Sequence, residues 1–100
     1  MDKYHVLLKP KALEDIDSIY EYISLDLQNP EAALGLVEEL ESAILSLEQL
    51  PYRGTERKIG MFANKGYRQI FLNNFTIIYR VAAKVKEVII VHVVYSRRDF

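Results

Sequence analysis

One hundred residues with no cysteine, three prolines and four glycines predict a single domain spanning residues 1–100. Half of the chain is apolar and 27% is charged, a globular balance that argues against intrinsic disorder, and the lack of cysteine excludes disulfide frameworks and thiolate zinc sites. The stretch from Met1 to His5 is too polar for a signal peptide, and no apolar run approaches the length of a membrane span, so a cytoplasmic protein with no membrane partner is expected.

The net charge of −1 conceals a strong asymmetry. Residues 1–50 carry three Lys against eleven Asp/Glu, a balance of −8, whereas residues 51–100 carry ten Lys/Arg against three Asp/Glu, a balance of +7. Such polarity suggests an interaction with nucleic acid or an acidic partner. The plainer alternative is a solvated acidic helical surface beside an ordinary basic sheet.

Tyr4 to Leu8 alternates and predicts a short strand closed by Lys9-Pro10. From Lys11 the apolar positions Leu13, Ile16, Ile19 or Tyr20, Ile23 and Leu27 recur every three or four residues, with acidic residues between them. This spacing predicts an amphipathic helix with Pro10 in its first turn and early carboxylates favouring its positive end. Asn29-Pro30-Glu31 reads as a cap and the start of a second helix, whose stripe runs through Leu36, Val37, Leu40, Ile44 and Leu47 and stops before Pro51. The short connection predicts an antiparallel helical hairpin.

Residues 51–66, punctuated by Pro51, Gly54, Gly60 and Gly66, predict a surface linker with room for one short strand. Tyr67 to Leu72, Phe75 to Val81 and Val88 to Tyr95 predict three strands, with a turn at Asn73-Asn74 and the last strand covered on both faces. The order β-α-α-β-β-β defines an α+β fold, with the hairpin packed on one face of a small, mainly antiparallel sheet.

Conventional enzyme motifs are missing. The glycines lack a phosphate-loop context, G-x-S-x-G is absent, and neither His5 nor His92 has a neighbour at metal-ligand spacing, so no metal or cofactor is expected. His92, in the apolar last strand, reads as a hydrogen-bonded core imidazole. Asp15/Asp17 and Glu38/Glu39/Glu41 follow the polar helical period and read as solvated surface rather than catalytic carboxylates.

The second half offers cations instead. Arg53, Arg57, Lys58 and Lys65 lie in the linker, Arg68 and Arg80 on strands, and Arg97 and Arg98 beyond the last strand. Arg80 alone reads as an ordinary surface residue, whereas the group predicts a shared anion-binding surface, with Arg68 and Arg97 near one edge.

The segments Ala12-Leu13-Glu14-Asp15-Ile16, Ile19-Tyr20-Glu21-Tyr22-Ile23, Pro30-Glu31-Ala32-Ala33 and Leu47-Glu48-Gln49-Leu50-Pro51-Tyr52-Arg53-Gly54 occur in this order. Gly66-Tyr67-Arg68, Asn74-Phe75-Thr76-Ile77-Ile78-Tyr79-Arg80-Val81 and Val93-Val94-Tyr95-Ser96-Arg97-Arg98-Asp99 follow. Together they resemble the RelE/ParE toxins of bacterial type II toxin–antitoxin systems over nearly the whole chain. The resemblance implies a growth-arresting toxin neutralised by a cognate antitoxin, with DNA gyrase (ParE-like) or ribosome-bound mRNA (RelE-like) as its target.

For a metal-independent, ribosome-dependent endoribonuclease, the resemblance implies Arg68, Arg97 and Tyr95 as the catalytic group, stabilising the scissile phosphate and handling protons. Arg53, Arg57, Lys58, Lys65 and Arg98 are then the target- or nucleic-acid-binding residues. The match to RelE is incomplete, because Thr76 stands where RelE carries a strand arginine and no tyrosine follows Tyr95. The balanced charge and long hairpin favour the ParE-like reading, since phosphate contacts dominate nucleic-acid affinity. A domain of this fold that has lost toxicity and acts as a binding module is the third reading. An antitoxin segment with acidic and apolar residues is expected to cover the basic surface.

Overall fold

Lys9 is in extended backbone and Pro10 follows it as the first helical residue, so the chain passes from strand to helix where the proline removes a backbone donor. The fold is taken from a computed structural model that describes residues 3–96. Strand β1 (His5–Leu8) leads into helix α1 (Pro10–Glu21), which widens into a π-helical turn over Tyr22–Asp26. Asn29 caps helix α2 (Pro30–Leu45): its side-chain oxygen accepts from the Ala32 N–H at 3.1 Å, which satisfies one of the orphan donors of the first turn. A 3₁₀ turn over Ser46–Glu48 ends the hairpin.

Four further strands follow: β2 (Thr55–Glu56), β3 (Arg68–Leu72), β4 (Phe75–Ala82) and β5 (Glu87–Tyr95). The five-stranded sheet has the order β1-β5-β4-β3-β2, with β1 parallel to β5 and the other pairs antiparallel. The β3–β4 turn uses Asn73 at φ 53°, a left-handed conformation that asparagine tolerates. β5 is internal to the sheet, and its consecutive residues Val88, Ile89 and Ile90 are all buried. Val91 is the extra residue of a bulge, since Ile90 faces Tyr79 and His92 faces Ile78.

Ala12, Leu40, Ile44 and Leu47 from the helical side pack with Ile70, Ile77, Tyr79, Val88, Ile90 and Val93 from the sheet to form the core. Ile16, Ile19, Leu36 and Ala43 pack against this cluster. In α2 the helical period read from the sequence is the buried stripe, whereas along α1 and the turn after it Leu13 and Leu27 of the expected stripe are exposed and Ala12 takes the buried phase instead.

The structure corrects two local expectations and places the short strand for which residues 51–66 have room. The first turn of α1 contains no carboxylate, because the helix begins at Pro10 and Glu14 and Asp15 fall beyond the turn where the dipole acts. The two-residue strand β2 closes the sheet edge, its Thr55 and Glu56 opposite Gln69 and Arg68. The 51–66 segment is not a simple surface linker either: Pro51, Gly54 and Arg57 are buried.

Candidate functional site

The turn after the hairpin, residues 51–54, is clamped onto the sheet by two side chains at paired positions of β3 and β4. Arg68 and Tyr79 are cross-strand partners. The Tyr79 hydroxyl donates to the Pro51 carbonyl at 3.0 Å and accepts from the Gly54 N–H at 3.1 Å. Arg68 Nη2 donates to the carbonyls of Gly54 (2.5 Å) and Tyr52 (3.2 Å), and its guanidinium lies 5.4 Å from the centre of the Tyr52 ring. Glycine is required at position 54 because a Cβ there stands 2.4 Å from the Gln69 carbonyl oxygen. Arg53 joins the same region, its Nη1 donating to Ser46 Oγ at 2.6 Å.

Side chains alternate across a strand, so Gln69, the neighbour of Arg68, points to the opposite face of the sheet. There its Oε1 accepts from Arg57 Nη1 at 2.7 Å, while Arg57 Nε donates to the Met61 carbonyl at 2.5 Å. Arg57 is only 2% exposed, so its guanidinium ties down the loop before β3. It does not sit on an open anion-binding surface, as the sequence pattern suggested. A cleft of about 320 Å³ on this face is bordered by Arg57, Lys58, Ile59, Phe71, Thr76 and Ser96, among others. A second cleft, of about 330 Å³ at the β2 edge, is bordered by Glu56, Arg57, Asn64, Gly66, Tyr67 and Arg68.

The expected cations therefore divide. Arg57 and Arg68 border one cleft but aim their guanidinium groups to opposite faces, each held by carbonyl or amide oxygens. Lys58 and Lys65 are exposed. Arg80 is exposed on β4, as its position suggested. Tyr95 is partly buried, with its ring 5.7 Å from that of Phe75. Thr76, fully buried, shares a 2.8 Å hydrogen bond between hydroxyls with Ser96. Arg97 and Arg98 lie outside the described residues. The Nε of Arg68 is buried with no hydrogen-bond partner among them, an unusual state for a donor at the rim of a cleft.

In a second constellation the His92 imidazole is hydrogen-bonded, as its place in the last strand suggests, but its partner escaped sequence reasoning. Asp15 was expected to be solvated, yet it is 8% exposed, and its Oδ2 accepts from the Val93 backbone N–H at 3.0 Å and contacts His92 Nδ1. Lys11, one turn earlier, lies 3.2 Å from the other carboxylate oxygen. β1 ends opposite Ile90, so the edge of β5 beyond that point lacks a strand neighbour, and α1 covers it with Asp15 as the acceptor. The signal was available: Ala12, Asp15 and Ile19 share one helical face. The carboxylate fixes the imidazole through Nδ1 and leaves Nε2 as its remaining polar atom. Among the described residues no cluster of His, Asp or Glu is arranged to hold a metal ion, and no helix is long and apolar enough to cross a membrane.

This architecture is shared with toxins of bacterial toxin–antitoxin systems. A chain of the chromosomal ParDE system from Pseudomonas aeruginosa superposes with a TM-score of 0.70 at 28% identity, covering 91% of this chain and 94% of that one. The toxin–antitoxin complex RelBE2 from Mycobacterium tuberculosis gives 0.65 at 19% identity, over 95% of this chain and 93% of the other. A free-state mutant of the Escherichia coli toxin RelE gives 0.64 at 14% identity, over 96% and 86%. The latter two likenesses show the fold. No curated protein sequence matches. The model of the ParE toxin of the type II toxin–antitoxin system parDE matches residues 6–100, and the chain belongs to that family. Family membership implies a cognate antitoxin.

Proposed function

We propose that this toxin arrests growth by binding and inhibiting DNA gyrase, without a catalytic group of its own. The observation that carries this reading is the commitment of its best-placed arginines. Cleavage of mRNA needs cations free to meet the extra negative charge on the scissile phosphate. Here the Nη2 of Arg68 is taken by the carbonyls of Tyr52 and Gly54, Arg57 is buried against Gln69 and Met61, and Thr76 is paired with Ser96. The similarity to a ParDE system at 28% identity, against 14% for RelE, supports the same choice. Lys58 and Lys65, exposed on the loop before β3, are the cations offered to the target.

The competing nuclease reading, with Arg68, Arg97 and Tyr95 as its catalytic group, is tested on programmed ribosomes. Purified protein is expected to leave ribosome-bound mRNA whole. Cleavage that disappears with Arg68→Lys, in a variant that remains folded, overturns the proposal. For stability, Arg68→Lys is expected to cost about 1–2 kcal/mol in urea unfolding, because an ammonium cannot replace the fixed fork of guanidinium donors.

A further inference from the structure

Residues 57–67 join β2 to β3, far more chain than a tight hairpin needs. The loop is fixed in a shape its own residues do not favour. Phe62 and Asn64 both take left-handed backbone, at φ 65° and 57°, a conformation that a bulky aromatic residue rarely adopts and that surrounding contacts must impose. Arg57 supplies those contacts. Its N–H donates to the Tyr67 carbonyl and its carbonyl accepts from the Asn64 N–H, both at 2.9 Å, while its guanidinium holds Met61 and Gln69. Phe62 turns back onto Tyr67, with ring centres 4.7 Å apart, and Ile59 is left outside at 65% exposed.

Ile59 borders the 320 Å³ cleft on the open face of the sheet, and so does Phe71 of β3, which is 63% exposed. The buried Thr76 and Arg57 line the same cleft, and the exposed Lys58 and Glu56 border it. Residues 57–67 carry three cations, Arg57, Lys58 and Lys65, and no carboxylate. An apolar slot beside exposed lysines is complementary to a protein segment in which a large apolar side chain is flanked by Asp or Glu. A nucleic-acid strand fits less well, because the guanidinium at the cleft is committed to Met61 and Gln69. A second copy of this chain presents the same lysines and is repelled.

On the gyrase reading of this toxin, on which the assignment rests, we propose that the cleft between Ile59 and Phe71 is a contact site for gyrase. A large apolar side chain of gyrase enters the cleft, and an adjacent carboxylate meets Lys58.

The test measures binding of purified gyrase to immobilised full-length toxin, together with inhibition of supercoiling, for the parent and for variants whose melting temperatures confirm the fold. Ile59→Ser/Phe71→Ser is expected to weaken binding and inhibition by about tenfold or more. Lys58→Glu is expected to weaken both by a similar factor, with a difference from the parent that shrinks as salt rises, and it decides the matter if the double variant loses its fold. Val85→Ser and Arg80→Glu, which change an exposed apolar residue and an exposed cation away from the cleft, are expected to behave as the parent does. Folded cleft variants that bind and inhibit as well as the parent overturn the proposal and leave the gyrase reading standing. A parent toxin that neither binds nor inhibits gyrase overturns both. Binding of the toxin to bare DNA in a gel shift, abolished by Lys58→Glu, assigns the cleft to nucleic acid and also overturns the proposal.

Discussion

The Asp15 carboxylate holds His92 and the neighbouring Val93 N–H at once, joining the first helix to the last strand across 77 residues of sequence. The contact replaces a missing strand neighbour, since β1 stops opposite Ile90 and the β5 backbone beyond it needs an acceptor. Asp15→Asn preserves the shape and one acceptor but loses the charge, and is expected to lower stability by about 1–3 kcal/mol in urea unfolding. Asp15→Ala leaves both donors unpaired and is expected to lower it further. Hydrogen exchange gives a local readout: the Val93 amide is expected to exchange faster in both variants than in the parent, relative to Val88.

Tyr79 is the second fastening, between the sheet and the turn that ends the hairpin. Its ring fills the core while its hydroxyl serves Pro51 and Gly54 together. Tyr79→Phe keeps the packing and strands one buried acceptor and one buried donor, so a loss of about 1–3 kcal/mol is expected from the chemical-denaturation midpoint. A change below a few tenths of a kcal/mol contradicts this role.

Two glycines are expected to respond with opposite signs to alanine. At Gly54 the added Cβ meets the Gln69 carbonyl at 2.4 Å and the Tyr79 hydroxyl at 2.6 Å, so Gly54→Ala is expected to destabilise by about 1–3 kcal/mol or more. Gly35 lies within α2 with nothing near its Cβ position, and Gly35→Ala is expected to stabilise by about 0.5–1 kcal/mol through helix propensity. Thermal melts of the two variants against the parent check both signs.

Where periodicity and turn chemistry determine structure, the sequence was readable. Ile16 and Ile19 mark the buried face of α1, although Leu13, read on the same stripe, is exposed and Ala12 is buried in its place; Asn29 marks the start of α2, and Asn73 marks the β3–β4 turn, each through a local preference. Contacts set by register were not readable. Arg68 and Gln69 are adjacent residues sent to opposite faces, and only the pairing of β3 with β2 and β4 decides which face each receives. β2 went unspecified because its two exposed residues carry no apolar alternation, and it exists through its pairing with β3. Asp15 looked solvated because a carboxylate at the buried helical phase has no meaning until a strand edge is known to face it. The candidate site was thus legible as a set of cations but not as an arrangement, since Arg57 and Arg68 turned out to be internal fastenings.

The claim that this toxin acts on gyrase is tested most directly by supercoiling of relaxed plasmid with purified gyrase and increasing toxin. Inhibition that rises with toxin concentration, and is relieved by the cognate antitoxin, is the predicted result. Full supercoiling activity at a large molar excess of folded toxin contradicts it.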